Sequence, residues 1–146
     1  EMTERKHRIE DALEAVKSAL DEGIVPGGGA SLLRASNSLV VVTENTEQAY
    51  GATVIRAACR EPIRQMAINS GGKSADIIIS EILETNSSSD YGWDFKRSQL
   101  TKLFEAGIID PVLVTKTALK NAVSVVNTII SADCVISNIR IDNASN

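Results

Sequence analysis

"DEGIVPGGGASLLRAS", Asp21–Ser36, places three consecutive glycines between two stretches of helical pattern. One glycine suffices to end a helix, and each further one adds a conformational entropy cost on folding. Upstream, Ile9, Leu13, Val16 and Leu20 recur at helical spacing, with Glu4, Arg8, Asp11, Glu14, Ser18 and Glu22 mostly on the other side. That pattern predicts one amphipathic helix from about Thr3 to Glu22, stopped at Gly23. Downstream, Ala30–Val41 reads as a second, short helix. The run Pro26-Gly27-Gly28-Gly29-Ala30 therefore leads into a helix N-terminus with no side chains in the way. With its backbone N–H groups, such a surface can be approached closely by a ligand. A flexible turn or a tight helix–helix contact would leave the same trace, so both readings stay open here.

The remainder of the chain reads as mainly helical. Thr43–Glu47 is a polar loop. Gln48–Asn69 is helical with a break near Pro62, where proline removes a backbone donor. Gly71-Gly72 punctuates, and Lys73–Glu84 is a further helix despite its β-branched Ile77-Ile78-Ile79. Thr85–Asp90 is polar, and "YGWDF", Tyr91–Phe95, is a short hairpin or turn holding the only tryptophan. Gln99–Ala106 is expected to be a short helix ended by Gly107. "IIDP" then leads into a long apolar helix from Pro111 to about Ser131, with Asp110 as its N-cap and Pro111 at its first position. A helix this apolar is expected at the centre of a core. "CVISNIRI", Cys134–Ile141, alternates and reads as a strand with no obvious partner, which suggests pairing with another segment or subunit.

Composition narrows the function. The 146 residues are 43% hydrophobic and only 3% aromatic, which fits a domain with an aliphatic core. Fifteen Lys and Arg face nineteen Asp and Glu, a net charge of -4 that disfavours nucleic acid as a partner. No apolar run has the length of a membrane span, and the expectation is a chain without a signal peptide. Cys59 and Cys134 have no metal-ligand spacing and are expected to be buried free thiols in a reducing compartment. No metal-binding set is expected within the chain. His7, the one histidine, lies in a charged first turn and suits a solvated surface role. Asp11 falls on the polar face of the first helix, where a carboxylate is ordinarily just solvated. The sequons at Asn86 and Asn143 carry no weight without a secretion signal.

The order of these pieces resembles the group I chaperonins, the bacterial GroEL family. "RIEDALEAVKSALDEGIVPGGGASLL", "EPIRQMAINSG", "YGWDF", "AGIIDPVLVTKTAL" and "NAVSVVNTIISADCVI" follow one another as in that family, with nearly its spacing, over almost the whole chain. The resemblance implies a helical equatorial-domain fragment with a small β-hairpin and a C-terminal β-strand. Residues 1–24 would be the last helix of the intermediate domain, and 25–146 the C-terminal part of the ATP-binding equatorial domain.

Carried over by position, Asp11 matches the aspartate that acts on the hydrolytic water. Gly28, beside Gly27, matches the glycine that packs against the nucleotide. Asp94, Phe95 and Lys96 match the adenine-side triplet, with Phe95 and Lys96 bulkier than the small residues usual there. Asp110 matches the carboxylate that holds the ribose.

ATP and Mg2+ are the implied cofactors, with the metal ligand expected on the family's phosphate-binding Gly-Asp-Gly-Thr run, which is not among these residues. This chain alone is therefore expected to be inactive as an ATPase. The implied partners are like subunits in a ring and non-native polypeptides; a co-chaperonin lid stays open. The implied location is cytoplasmic, or an organellar matrix in a eukaryote. The alternative is a stand-alone helical interaction module, derived from the same fold, that has lost the ATPase.

Overall fold

The computed structural model describes residues 2–85, 90–134 and 136. Among them are six helices and four short strands: α1 Met2–Glu22, β1 Ile24–Pro26, α2 Ala30–Ser38, α3 Thr46–Ala58, α4 Glu61–Ser70, α5 Ala75–Glu84, β2 Tyr91–Asp94, β3 Gln99–Lys102, β4 Ile109–Pro111 and α6 Val112–Ile130. The mainly helical class expected from the sequence holds. The chain divides into two compact units, residues 1–115 and 116–146. No helix among the described residues is long and apolar enough to cross a membrane.

The first unit carries the core. Leu33 of α2, Ile63 and Ala67 of α4, Ile78, Ile79 and Ile82 of α5, and Trp93 of β2 form one buried cluster. Met66, Leu83, Phe95 and Leu100 pack against its edge. The β-branched run in α5 is thus a helix face, and its burial is what overrides the strand preference of isoleucine.

Helix boundaries follow local chemistry. Gly23 ends α1 at φ +87°, its N–H donating to Ala19 O at 2.9 Å. The Asn45 side chain accepts from Gln48 N at the start of α3. The break expected near Pro62 falls at Cys59-Arg60, and Pro62 sits in the first turn of α4, where its missing N–H costs nothing. Gly71 closes α4 in the left-handed region at φ +64°.

Two short antiparallel pairs complete the first unit. β2 pairs with β3, Tyr91 opposite Lys102 and Asp94 opposite Gln99. β1 pairs with β4, Ile24 opposite Pro111, Val25 opposite Asp110 and Pro26 opposite Ile109.

Several expectations are corrected. Gln99–Ala106 is not a helix: Gln99–Lys102 is strand β3, and turns follow to Gly107. Its backbone groups are taken by β2 and by Asp90, whose main-chain oxygen accepts from Leu103 N at 3.0 Å and whose carboxylate accepts from Phe104 N at 2.9 Å. Asp110 and Pro111 do not cap a helix, because both are in β4 and α6 starts at Val112. No residue of α6 is buried, so it is not at the centre of a core. α2 stops at Ser38 and leaves Leu39–Val42 exposed. Cys59 is buried as expected, but Cys134 is exposed. The strand expected over Cys134–Ile141 lies outside the described residues except at Cys134 and Ile136, neither of which is in a strand; the sequon sites Asn86 and Asn143 lie outside them too.

Candidate functional site

Gly27–Gly29 occupies a slot between two backbone segments. Gly27 N–H donates to Ile108 O at 3.0 Å, and a β-carbon on Gly27 would stand 3.1 Å from Ile109 N. Gly28, at φ +62°, has the Trp93 carbonyl 3.6 Å from where its β-carbon would be. Gly29, at φ +75°, leaves no room either, since a β-carbon there would meet Ile63 Cγ1 at 2.8 Å. Here the three glycines have separate jobs. The first permits contact with the strand that carries Asp110. The second and third supply left-handed backbone, and the third also lets α4 come close.

The turn thus meets the residue before Asp94 and the residues before Asp110. Gly27, Gly28 and the strands bearing Asp94 and Asp110 share one neighbourhood, although they are far apart in sequence. α2 starts immediately after the turn, so its first free N–H groups belong to this neighbourhood as well.

The three carboxylate candidates, Asp110, Asp94 and Asp11, differ in how free they are. Asp110 is half-buried, and no hydrogen bond or ion pair among the described residues engages its carboxylate. Burial pushes its carboxyl above the usual range. It lies opposite Val25 in the β1–β4 pair, so a few residues of antiparallel register fix its position next to the glycine turn. An uncommitted carboxylate in such a place is a hydrogen-bond acceptor with capacity to spare.

Asp94 is buried and fully committed. Its Oδ1 accepts from Lys96 N at 2.9 Å and from Arg97 N at 3.1 Å, and its Oδ2 faces Arg97 Nη1 at 3.2 Å. The Arg97 N–H first, then the Lys96 N–H and the guanidinium, hold this carboxyl below its ordinary value against the opposing effect of burial. Asp94 therefore shapes the β2–β3 turn, and only its main chain is left for a ligand. Phe95 packs against the core, and Lys96 is exposed.

Asp11 is exposed in the middle of α1, twelve positions before Gly23, which is about 18 Å along the helix axis. The structure does not bring it to the glycine turn. The apolar stripe of α1 is exposed as well, with Ile9, Leu13, Val16 and Leu20 all more than half accessible.

Two features outside the sequence-derived set stand out. Arg34, on α2, donates to Ile82 O at 2.8 Å and to Tyr91 O at 3.0 Å. Lys73 places its ammonium 5.0 Å from the centroid of the Trp93 ring and pairs with Glu81. Neither belongs to a sequence motif; the only hint is a cation next to buried apolar segments. A groove of about 430 Å³ at the α4–α5 turn, lined by Arg64, Gly71, Lys73, Ser74 and Asp76 among others, contains none of the candidate site residues Asp11, Gly27, Gly28, Asp94, Phe95, Lys96 and Asp110. Among the described residues no three His, Cys, Asp or Glu converge to hold a metal ion.

These residues form a mainly helical domain with a glycine slot between two strand ends, one of them bearing an uncommitted carboxylate. The model of the TCP-1/cpn60 chaperonin family matches residues 1–140, and the chain belongs to that family. Membership assigns it a chaperonin-related role in protein folding. The family is in general ATP-dependent and works as oligomeric rings on substrate polypeptides.

Proposed function

We propose that this chain supplies the base and ribose side of the ATP site of a chaperonin subunit, together with its hydrolytic aspartate and contacts to like subunits. Residues 1–24 act as the end of an intermediate domain, and 25–146 as part of the equatorial domain. The observation that carries this reading is the packing of Gly27 and Gly28 between the Trp93 carbonyl and Ile108–Ile109, next to the unpaired carboxylate of Asp110.

The residues fit a nucleotide in part. Gly27 and Gly28 give close backbone approach, and Asp110 accepts from ribose hydroxyls. Asp94 contributes main chain rather than a carboxylate, and Phe95 and Lys96 border the base. Bound ATP supplies the phosphoanhydride bond, and Mg2+ held by the phosphate-binding part of the subunit neutralises its charge. The work of Asp11 is to orient and deprotonate water, and it needs α1 to swing about Gly23 to reach the turn. A β-carbon on that residue would meet nothing within 4 Å, and its carbonyl, which accepts from Val112 N at 3.1 Å, is a contact such a swing would have to break.

The test is nucleotide binding and turnover in the full-length subunit. Asp110→Asn is expected to weaken ATP binding, and Asp11→Asn to lower turnover while binding survives. The 146-residue chain alone is expected to show no turnover. Unchanged binding in Asp110→Asn would remove the ribose assignment.

One observation favours a second reading, a helical interaction module of chaperonin descent without ATPase. The Asp94 carboxylate is consumed by its own turn and Phe95 is partly buried against the core's edge, so the base side offers little beyond main chain. Full-length protein that binds no nucleotide and forms only small oligomers would select this reading.

A further inference from the structure

β2 is tracked residue by residue by the segment that begins at the glycine turn. The Trp93 carbonyl faces Gly28. Gly92 lies against Ala30, at 3.0 Å from a β-carbon built on the glycine. The Tyr91 carbonyl is gripped by Arg34, one helical turn beyond Ala30, through Nη2 at 3.0 Å and Nε at 3.3 Å. The same Nη2 donates to Ile82 O at 2.8 Å. That carbonyl is in the last turn of α5, where helix carbonyls lack internal partners and a cation is favoured.

Arg34 is half-buried, and no ion pair among the described residues engages it. Burial lowers its pKa. A guanidinium placed there without a carboxylate is held by carbonyls alone. Its planar fork suits the task, because Nε and Nη2 reach one oxygen while Nη2 also reaches a second. A lysine ammonium, one bond shorter and without the Nε–H, loses the doubled contact with the Tyr91 oxygen.

We infer that Arg34 is a positioning residue of the candidate nucleotide site: it clamps the Tyr91 end of β2 to α2 and to the end of α5, and so fixes the separation between the glycine turn and the Trp93–Asp94 edge. The inference rests on the nucleotide reading proposed above. Gly92 has no side chain to hold the strand. With Arg34 gone, β2 is fastened to α2 only by van der Waals contact, and the edge of the site at Trp93–Asp94 loses its register against Gly28.

Arg34→Lys and Arg34→Met are compared with wild type in the full-length subunit, with ATP as the probe. KM, kcat and melting temperature are read together. Arg34→Met is expected to raise KM on the order of tenfold, with a smaller change in kcat. Arg34→Lys is expected to keep the melting temperature near that of wild type, by keeping a cation at the carbonyls, yet still to raise KM severalfold, because the Nε contact that orients the Tyr91 carbonyl is gone. A purely structural arginine predicts the opposite split. Melting temperatures that fall while KM stays at the wild-type value would overturn the inference. If Arg34→Met does not fold, Arg34→Lys decides alone, and an unchanged KM in it is fatal. Wild-type protein that binds no ATP would show that the nucleotide reading itself has failed, and this inference would fall with it.

Discussion

A β-carbon built on Gly92 would stand 3.0 Å from Cβ of Ala30 and would overlap Cδ1 of the fully buried Leu103. β2 and α2 can therefore touch only because residue 92 has no side chain. Gly92→Ala is expected to destabilise the protein by about 1–3 kcal/mol through overpacking, read as a lower denaturant midpoint. Gly51, inside α3 with nothing within 4 Å of an added β-carbon, is the control. Gly51→Ala is expected to stabilise by about 0.5–1 kcal/mol, as alanine does in a helix interior. Equal effects at the two positions would contradict the packing described.

Asp94 links the shape of the β2–β3 turn to acidity. Its carboxyl is held below the ordinary value, so its contribution to stability is complete above the unfolded carboxylate range and is lost as pH falls through the depressed value. Thermal melts from pH 7 down to about pH 2 should show a loss in wild type, beginning below about pH 4, that Asp94→Asn partly lacks. The asparagine oxygen still accepts from the Lys96 and Arg97 N–H groups but no longer pairs with the guanidinium. Parallel pH profiles for the two proteins would show that the carboxylate is not what holds the turn.

Asp110 has the opposite sign. Burial raises its carboxyl pKa in the folded state, so it favours folding most below the unfolded carboxylate value and least once pH has risen through the folded value. At pH 7 it is a destabilising charge. Asp110→Asn is expected to raise the melting temperature at neutral pH while weakening ATP binding, the exchange of stability for function that a ligand-holding carboxylate implies. A lower melting temperature in Asp110→Asn would mean that the charge has a stabilising partner.

Lys73 and Trp93 give an optical readout. The ammonium lies 5.0 Å from the ring centroid, so Lys73→Met should change the emission of the single tryptophan and cost about 0.5–1 kcal/mol. An unaltered spectrum would remove the cation from the ring face.

Most of the helical fold was legible because its signals are local. Ile9, Leu13, Val16 and Leu20 repeat at the period of a helix, and Gly23, Pro62 and Gly71 end or start helices for reasons contained in single residues. The strands were legible only at "YGWDF", read as a short hairpin or turn, where Tyr91–Asp94 is one arm of the β2–β3 pair. Leu100, Leu103 and Phe104 fall at helical spacing, yet Gln99–Lys102 is a strand because Tyr91–Asp94 is there to pair with it. Asp110-Pro111 has the look of a helix cap, and only the partner Val25 makes it a strand. Three-residue strands leave no period to read. Among the site residues, Gly27 and Gly28 could be suspected from sequence as a close-approach turn. Asp11 stood out only by resemblance, since an exposed carboxylate on a polar helix face carries no local mark. Asp94 is marked only by resemblance, and its side chain is taken up by its own turn. Arg34 gave no sign, because its partners are main-chain oxygens, which every sequence has.

The pairing of Ile24 with Pro111 and Val25 with Asp110 also dictates an order of assembly. Loops of this span close late, since chain entropy must be given up before the contact is made. On a ribosome, Gly27–Gly29 emerges long before the strand that forms its other wall. Until Pro111 has left the exit tunnel, α2 can fold but the slot has only one side. On the nucleotide reading proposed above, ATP would be captured only by chains whose synthesis has passed that point, and its capture would report that the slot has closed.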